Sequence, residues 1–221
     1  MAILSCYLSF SGRLITAFLT GFAAGCLLVK WAEQLISRKT GSKSFFISQV
    51  MEKDRLQASV LMAFGSGILL QREPPDRHLL FCWLFFCVLF LSGYTDYRVR
   101  IIPNEGIVTA MFLWDLFDVS DGKSYSMIIL EFLFAVLFSA VILLTIVILE
   151  KWKKRQMLGR GDIKLLFVTA LFLGVEKTLY VLALACICGL MVFAVNGKID
   201  KRRQIPFGPC IAFSGFLMLL I

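Results

Sequence analysis

Charged side chains are scarce in this sequence: Asp, Glu, Lys and Arg make up 17% of its 221 residues, where an ordinary soluble domain carries roughly a quarter. That shortage excludes a soluble globule. Histidine is nearly absent, and the one present, His78, stands beside Arg77 in a short polar stretch. No histidine-based metal site can be assembled from it, and a Ser-His-Asp mechanism has no visible partner for it. The sequence therefore calls for no metal and no cofactor. C-x-x-C pairs are missing too. The seven cysteines, Cys6, Cys26, Cys82, Cys87, Cys186, Cys188 and Cys210, all fall in apolar stretches, so they read as small packing residues rather than zinc ligands or disulfide partners. Acids are too few to balance the bases, 15 against 23, which leaves a net charge of +8. The cations lie in loops between apolar runs, which points to membrane topology and away from nucleic acid as a partner.

What is abundant is apolar sequence, 59% of the chain, with 21 phenylalanines. Apolar runs recur at 14–31, 56–70, 79–95, 105–117, 125–149, 163–174, 179–195 and from Pro209 onward. They predict an all-α fold, a polytopic membrane helix bundle of about eight spans (six to eight), in one integral-membrane domain over residues 1–221 with the lipid bilayer around it. The run 56–70 is the weakest of the set, because it is short and interrupted by Gly65-Ser66-Gly67. Gly21 and Gly25 give the first run a small-xxx-small spacing that suits close helix packing. Residues 32–55 form the longest polar interval and read as a short cytoplasmic loop, with a weak surface helix over 45–56. Pro74-Pro75 mark a loop, and Pro103 suits the first turn of the helix that follows it. Asp115, Asp118 and Asp121 read as a polar turn, and Glu131 as a side chain reaching the interface or bonding across helices.

Loop charge orients the bundle. Seventeen of the 23 lysines and arginines fall in the loops after the first, third, fifth and seventh expected spans, and five fall at the N-terminus and in the other loops. The basic loops belong in the cytoplasm and the N-terminus outside. Asp96 at the exit of one span and Asp162 at the entry of another then share the cytoplasmic side. An acid at the mouth of a membrane segment marks function, and two of them at one depth can meet. Carboxylates facing each other at close range share a proton, so one can take a proton from water while the other donates to a carbonyl oxygen. Taken singly, Asp162 could be a helix N-cap and Asp96 could pair with Arg98 or Arg100.

The settings of the two acids add to this. Asp96 stands seven positions before Pro103-Asn104 in an I-P-N setting, Asp162 closes Gly159-x-Gly161-Asp162-x-Lys164-Leu165, and Ile205-Pro206-Phe207-Gly208-Pro209 precedes the final run. In that order and spacing the three motifs resemble the type IV prepilin peptidases, membrane aspartyl proteases of the GxGD kind. The resemblance covers roughly residues 79–221. It implies Asp96 and Asp162 as the catalytic pair, with Gly159, Gly161, Lys164, Pro103, Asn104, Pro206, Phe207, Gly208 and Pro209 shaping the site. It implies prepilin or pseudopilin precursors as substrates, their short basic leader removed at the cytoplasmic face of the inner or plasma membrane. Larger members also N-methylate the new terminus and carry C-x-x-C pairs in the first cytoplasmic loop. Residues 32–55 contain no cysteine, so the resemblance is to peptidase-only members, without S-adenosylmethionine as a cofactor.

Two other functions compete. One is a GxGD protease that cuts within a helix, against which the I-P-N and P-F-G-P settings count. The other is a small transporter or proton pathway, against which counts the placement of both acids near one face.

Overall fold

The computed structural model describes residues 2–40, 47–72, 77–154, 158–195 and 206–221. Pro74, Pro75, Arg155, Ile205, the cations at 198–203 and the first residues of the expected surface helix, Phe45 and Phe46, lie outside the described residues. Among the described residues every regular element is a helix: α1 Ala2–Thr40, α2 Ile47–Arg72, α3 Arg77–Val99, α4 Asn104–Ser120, α5 Tyr125–Lys153, α6 Arg160–Val195 and α7 Gly208–Leu219. Four hold stretches long and apolar enough to cross a membrane, namely Gly12–Arg38, Arg77–Val99, Tyr125–Lys153 and Arg160–Ala194, while Gly208–Leu219 is a shorter apolar helix. Among the described residues these candidates do not confirm the expected count of about eight crossings. The α2 helix carries the charged run Glu52-Lys53-Asp54-Arg55 near its start, and α4 has 17 residues. The expected loop at 32–55 is mostly helix, since α1 runs to Thr40 and α2 begins at Ile47.

Residues Met1–Cys87 form one compact unit. Within it α1 and α2 run antiparallel at close range: a Cβ on Gly21 would fall 2.6 Å from the Ser66 side chain, and one on Gly25 would fall 2.8 Å from the Ser59 Cα. The small-xxx-small spacing works as the sequence suggests. Gly65-Ser66-Gly67 does not interrupt α2. Gly65 admits the Phe86 ring, and Ser66 accepts a hydrogen bond from Trp83 Nε1 at 2.9 Å. Arg55 forms a two-pronged ion pair with Glu33 across the two helices.

Residues Val88–Ile221 form the second unit. Trp114, Ile128, Ala135, Ala170 and Leu171 make its buried apolar cluster, joining α4, α5 and α6. The Phe132 ring meets Phe167 edge-on at 5.8 Å. α7 packs along α3, with Gly93 against Ala212 and Gly215 against Leu89. The α5 helix is otherwise bare, with 6% of its most apolar stretch buried, as suits a helix wrapped in lipid.

The α6 element is two arms. Gly174 has φ 80 and ψ 162, which breaks the helical path. A straight helix would carry Gly189 about 42 Å from Gly161 at 1.5 Å per residue. Gly161 instead lies against Ile102 in the segment after Asp96, and a Cβ on Gly189 would fall 3.6 Å from the ring of Phe207, whose neighbour Gly208 hydrogen-bonds Asp96. The chain therefore reverses at Gly174, and the arms 160–173 and 175–195 match the two separate runs in the sequence.

The three aspartates after α4's apolar stretch are not alike. Asp118 is buried, with Lys123 Nζ 2.9 Å from its Oδ1, and the same ammonium lies 3.0 Å from Glu131. A plain polar turn describes Asp121, and Asp115 is exposed but lies within α4. That reading fails for Asp118. Glu131 of α5 reaches Lys123 in the α4–α5 turn, the same cation that holds Asp118 of α4.

Candidate active site

Asp96 sits in the last turn of α3. The helix ends where Arg100 turns left-handed (φ 55) and gives its N–H to the Asp96 carbonyl at 2.9 Å, an αL termination. The Asp96 carboxylate reaches a different part of the chain. Its Oδ2 accepts the backbone N–H of Gly208 at 2.9 Å, across 112 positions of sequence. Gly208 opens α7, and the residue before it, Phe207, supplies no side-chain cap. Asp96 satisfies an N–H that the helix start would otherwise leave without an intrahelical partner, and the helix N-terminus favours the negative charge there. A Cβ on Gly208 would fall 2.7 Å from both Cβ and Oδ2 of Asp96, so only glycine fits.

Asp162 is the third residue of α6. Its N–H donates to the Gly159 carbonyl at 3.1 Å, and its Oδ2 accepts the Gly159 N–H at 3.1 Å. The acid makes one half of a capping box, reaching back from the third helical position to the Gly159 N–H, while glycine has no side chain to make the other half. The two glycines shape the site through clearance and not through unusual backbone angles. Neither Gly159 nor Gly161 has a positive φ, and what each provides is room: a Cβ would fall 3.0 Å from Asp162 Oδ2 at Gly159 and 3.2 Å from the Ile102 side chain at Gly161.

The remaining motif residues gather at the same place. Lys164 Nζ donates to Asn104 Oδ1 at 2.8 Å, tying α6 to the start of α4. Pro103 stands in extended conformation (φ −70, ψ 130) at the cap of α4, one residue ahead of the first turn in which it was expected. Phe207 packs on Gly189, and the Pro209 backbone lies near Gly93. Pro206 is half-buried just before Phe207.

Asp96 and Asp162 are 6% and 7% exposed. The Asp96 charge acts on Asp162, and Cys210 in the first turn of α7 is within electrostatic reach of both. Each carboxylate gives one oxygen to a backbone N–H, and the other oxygen has no hydrogen-bond partner among the described residues. Two buried acids at the meeting point of α3, α6 and α7, each with an oxygen to offer, can handle a water molecule and a carbonyl group between them. No group of three or more His, Cys, Asp or Glu able to hold a metal is present among the described residues.

Ile102 and Cys210 belong to this site and carry no polar signal that singles them out in the sequence. The Lys164–Asn104 bond likewise joins two motif residues whose partnership their spacing does not reveal.

No curated protein and no solved structure shows significant similarity to the chain. The profile of the type IV leader peptidase family does match, over residues 83–194. That stretch contains Asp96, Pro103, Asn104 and the whole of 159–164, and it ends before the proline-glycine segment at 206–209. The match spans half of the chain and includes both buried acids, and on that ground the chain belongs to the type IV leader peptidase family.

Proposed function

We propose that this chain is a membrane aspartyl endopeptidase that removes the short basic leader of prepilin or pseudopilin precursors, with Asp96 and Asp162 as its catalytic pair. The observation that carries this reading is the joint placement of the two acids. Both are buried, both are fixed by backbone N–H groups, and Asp162 lies within reach of the Asp96 charge. One carboxylate takes a proton from water as its oxygen attacks the scissile carbonyl carbon, and the other, carrying the shared proton, donates it to the carbonyl oxygen. Return of a proton to the amide nitrogen then lets the C–N bond break. No covalent intermediate forms.

The pair works at the cytoplasmic face of the inner or plasma membrane, with the N-terminus outside, a reading supported by the excess of cations in the loops beside the two acids. The basic leader is received by acids, because the basic loops repel it. Without cysteine in 32–55, the reading is of a peptidase that does not methylate its product, serving a type IV pilus or a related secretion system. Membership of a leader peptidase family and the convergence of all three motifs favour this over cleavage within a helix or proton transport.

The test is co-expression with a prepilin. Asp96→Asn and Asp162→Asn should each reach the membrane in wild-type amount and leave the leader uncut. Full cleavage by both variants overturns the assignment.

A further inference from the structure

One buried polar group, a single helical turn from Asp96, belongs to none of the three motifs. Ser92 of α3 is fully buried, and its Oγ has no hydrogen-bond partner among the described residues. A serine or threonine inside a helix ordinarily turns its hydroxyl back to a carbonyl of the preceding turn, as Thr95 does here with Leu91 and Ser92. Ser92 does not. On the α4 side it faces Gly106, where a Cβ would fall 3.9 Å from Ser92 Oγ, 3.6 Å from Leu91 Cδ2 and 3.7 Å from Pro103 Cγ, so the side chains gathered there offer carbon and no polar atom besides this one. A buried hydroxyl in that state costs free energy unless something bonds it.

Ser92 stands four positions before Asp96, so the two share one face of α3 with Cβ atoms about 6 Å apart. Helical side chains lean toward the N-terminus, which carries the Asp96 carboxylate back over the turn that holds Ser92. Gly208 fixes only one end of that carboxylate. Its N–H reaches Oδ2 at 2.9 Å, and Oδ1 has no hydrogen-bond partner among the described residues. One anchor leaves the group free to swivel about Cβ–Cγ, a torsion with broad preferences in aspartate. A second anchor on Oδ1 sets its plane. The separation is too long for a direct bond from Ser92 and suits one water molecule, accepting from Ser92 Oγ and donating to Oδ1.

We propose that Ser92 is a positioning residue for Asp96, holding Oδ1 through one bound water so that the carboxylate keeps a fixed plane toward the reacting groups. An ionised carboxylate oxygen has two lone-pair sites, so Oδ1 serves this water and the reacting one together. This role for Ser92 rests on the protease reading of the aspartate pair. Ser214 of α7 supplies a comparison within the same molecule. Its Oγ is equally buried and without a hydrogen-bond partner among the described residues, but it stands six positions beyond Gly208, about 9 Å along the helix from the turn that meets Asp96.

Kinetics of the purified full chain in detergent, cutting a prepilin precursor, test this. Ser92→Ala should lower kcat about tenfold, the loss that matches one hydrogen bond to a charged group, with KM within about twofold of wild type. Ser214→Ala should leave both constants unchanged. Thermal melting separates positioning from folding: loss of a bonded hydroxyl leaves Ser92→Ala no more stable than wild type, whereas loss of an idle buried hydroxyl makes the alanine variant melt higher. Wild-type kcat in Ser92→Ala, an equal fall in Ser214→Ala, a loss carried wholly by KM, or a raised melting temperature in Ser92→Ala overturns the proposal. Asp96→Asn, run alongside, keeps the two readings apart. If it cuts at the wild-type rate, the protease assignment falls and the role of Ser92 with it. No cutting by Asp96→Asn together with wild-type kcat in Ser92→Ala removes Ser92 alone.

Discussion

At the scale of single residues, the candidate site depends on backbone donors that come from glycines. Asp96 is held by the N–H of Gly208 and Asp162 by that of Gly159. Gly208→Ala would drive a methyl group to within 2.7 Å of the Asp96 side chain. Leader cleavage should fall by about a hundredfold, the loss expected when a reacting group is misplaced by an ångström, while Gly12→Ala, with nothing within 4 Å, should leave cleavage unchanged in the same assay. Lys164→Met removes the bond to Asn104 and should lower cleavage about three- to tenfold, the range for one exposed hydrogen bond. The motifs marked these residues in the sequence because their spacing recurs as a set. What the spacing does not carry is the reason for each glycine. The clearance that Gly161 and Gly208 provide is measured against Ile102 and Asp96, partners dozens of residues away. Asp118 shows the same gap from the other side. In the sequence it is one of three similar acids, and only the facing of α4 and the reach of Lys123 distinguish it from Asp115 and Asp121.

Among elements, α6 is the most informative. The break between the runs 163–174 and 179–195 is visible in the sequence from Glu176-Lys177, but the reversal is made by Gly174 ahead of them. Its φ of 80 with ψ of 162 is a region open essentially to glycine alone. Gly174→Ala should therefore destabilise the protein by about 1–3 kcal/mol, read as a lower melting temperature in detergent. The α4–α5 turn gives a second test at this scale. Lys123→Met strands the buried Asp118 carboxylate without its cation, and thermal melting should register a loss of about 1–3 kcal/mol. Helix existence was legible because long apolar runs admit no other backbone in lipid. Helix length was not, since α1 and α2 extend through polar residues that hydropathy assigns to a loop.

For the whole molecule, the question is which way the helices run. Alkaline phosphatase fused after Lys123 should be active in a bacterial host, and the same reporter fused after Leu158 should be inactive, if the basic loops are cytoplasmic. The reverse pattern would place both aspartates outside and remove the leader from their reach. All-α membrane character was legible from composition alone, and the number of crossings was not. Counting runs assumes one run per crossing, and a 17-residue α4 is short for a crossing, whereas the two arms of α6 correspond to two runs.

The bond between Gly208 and Asp96 also sets an order of events during synthesis. The acid leaves the ribosome 112 residues before the donor that positions it. Until the segment from Gly208 onward has been made and inserted beside α3, Asp96 lacks the N–H that fixes its carboxylate, and the long loop between them must close first. A nascent chain thus carries both acids well before it carries the donor that fixes the first of them, so on the proposed reading the site stays incomplete until α7 has been inserted.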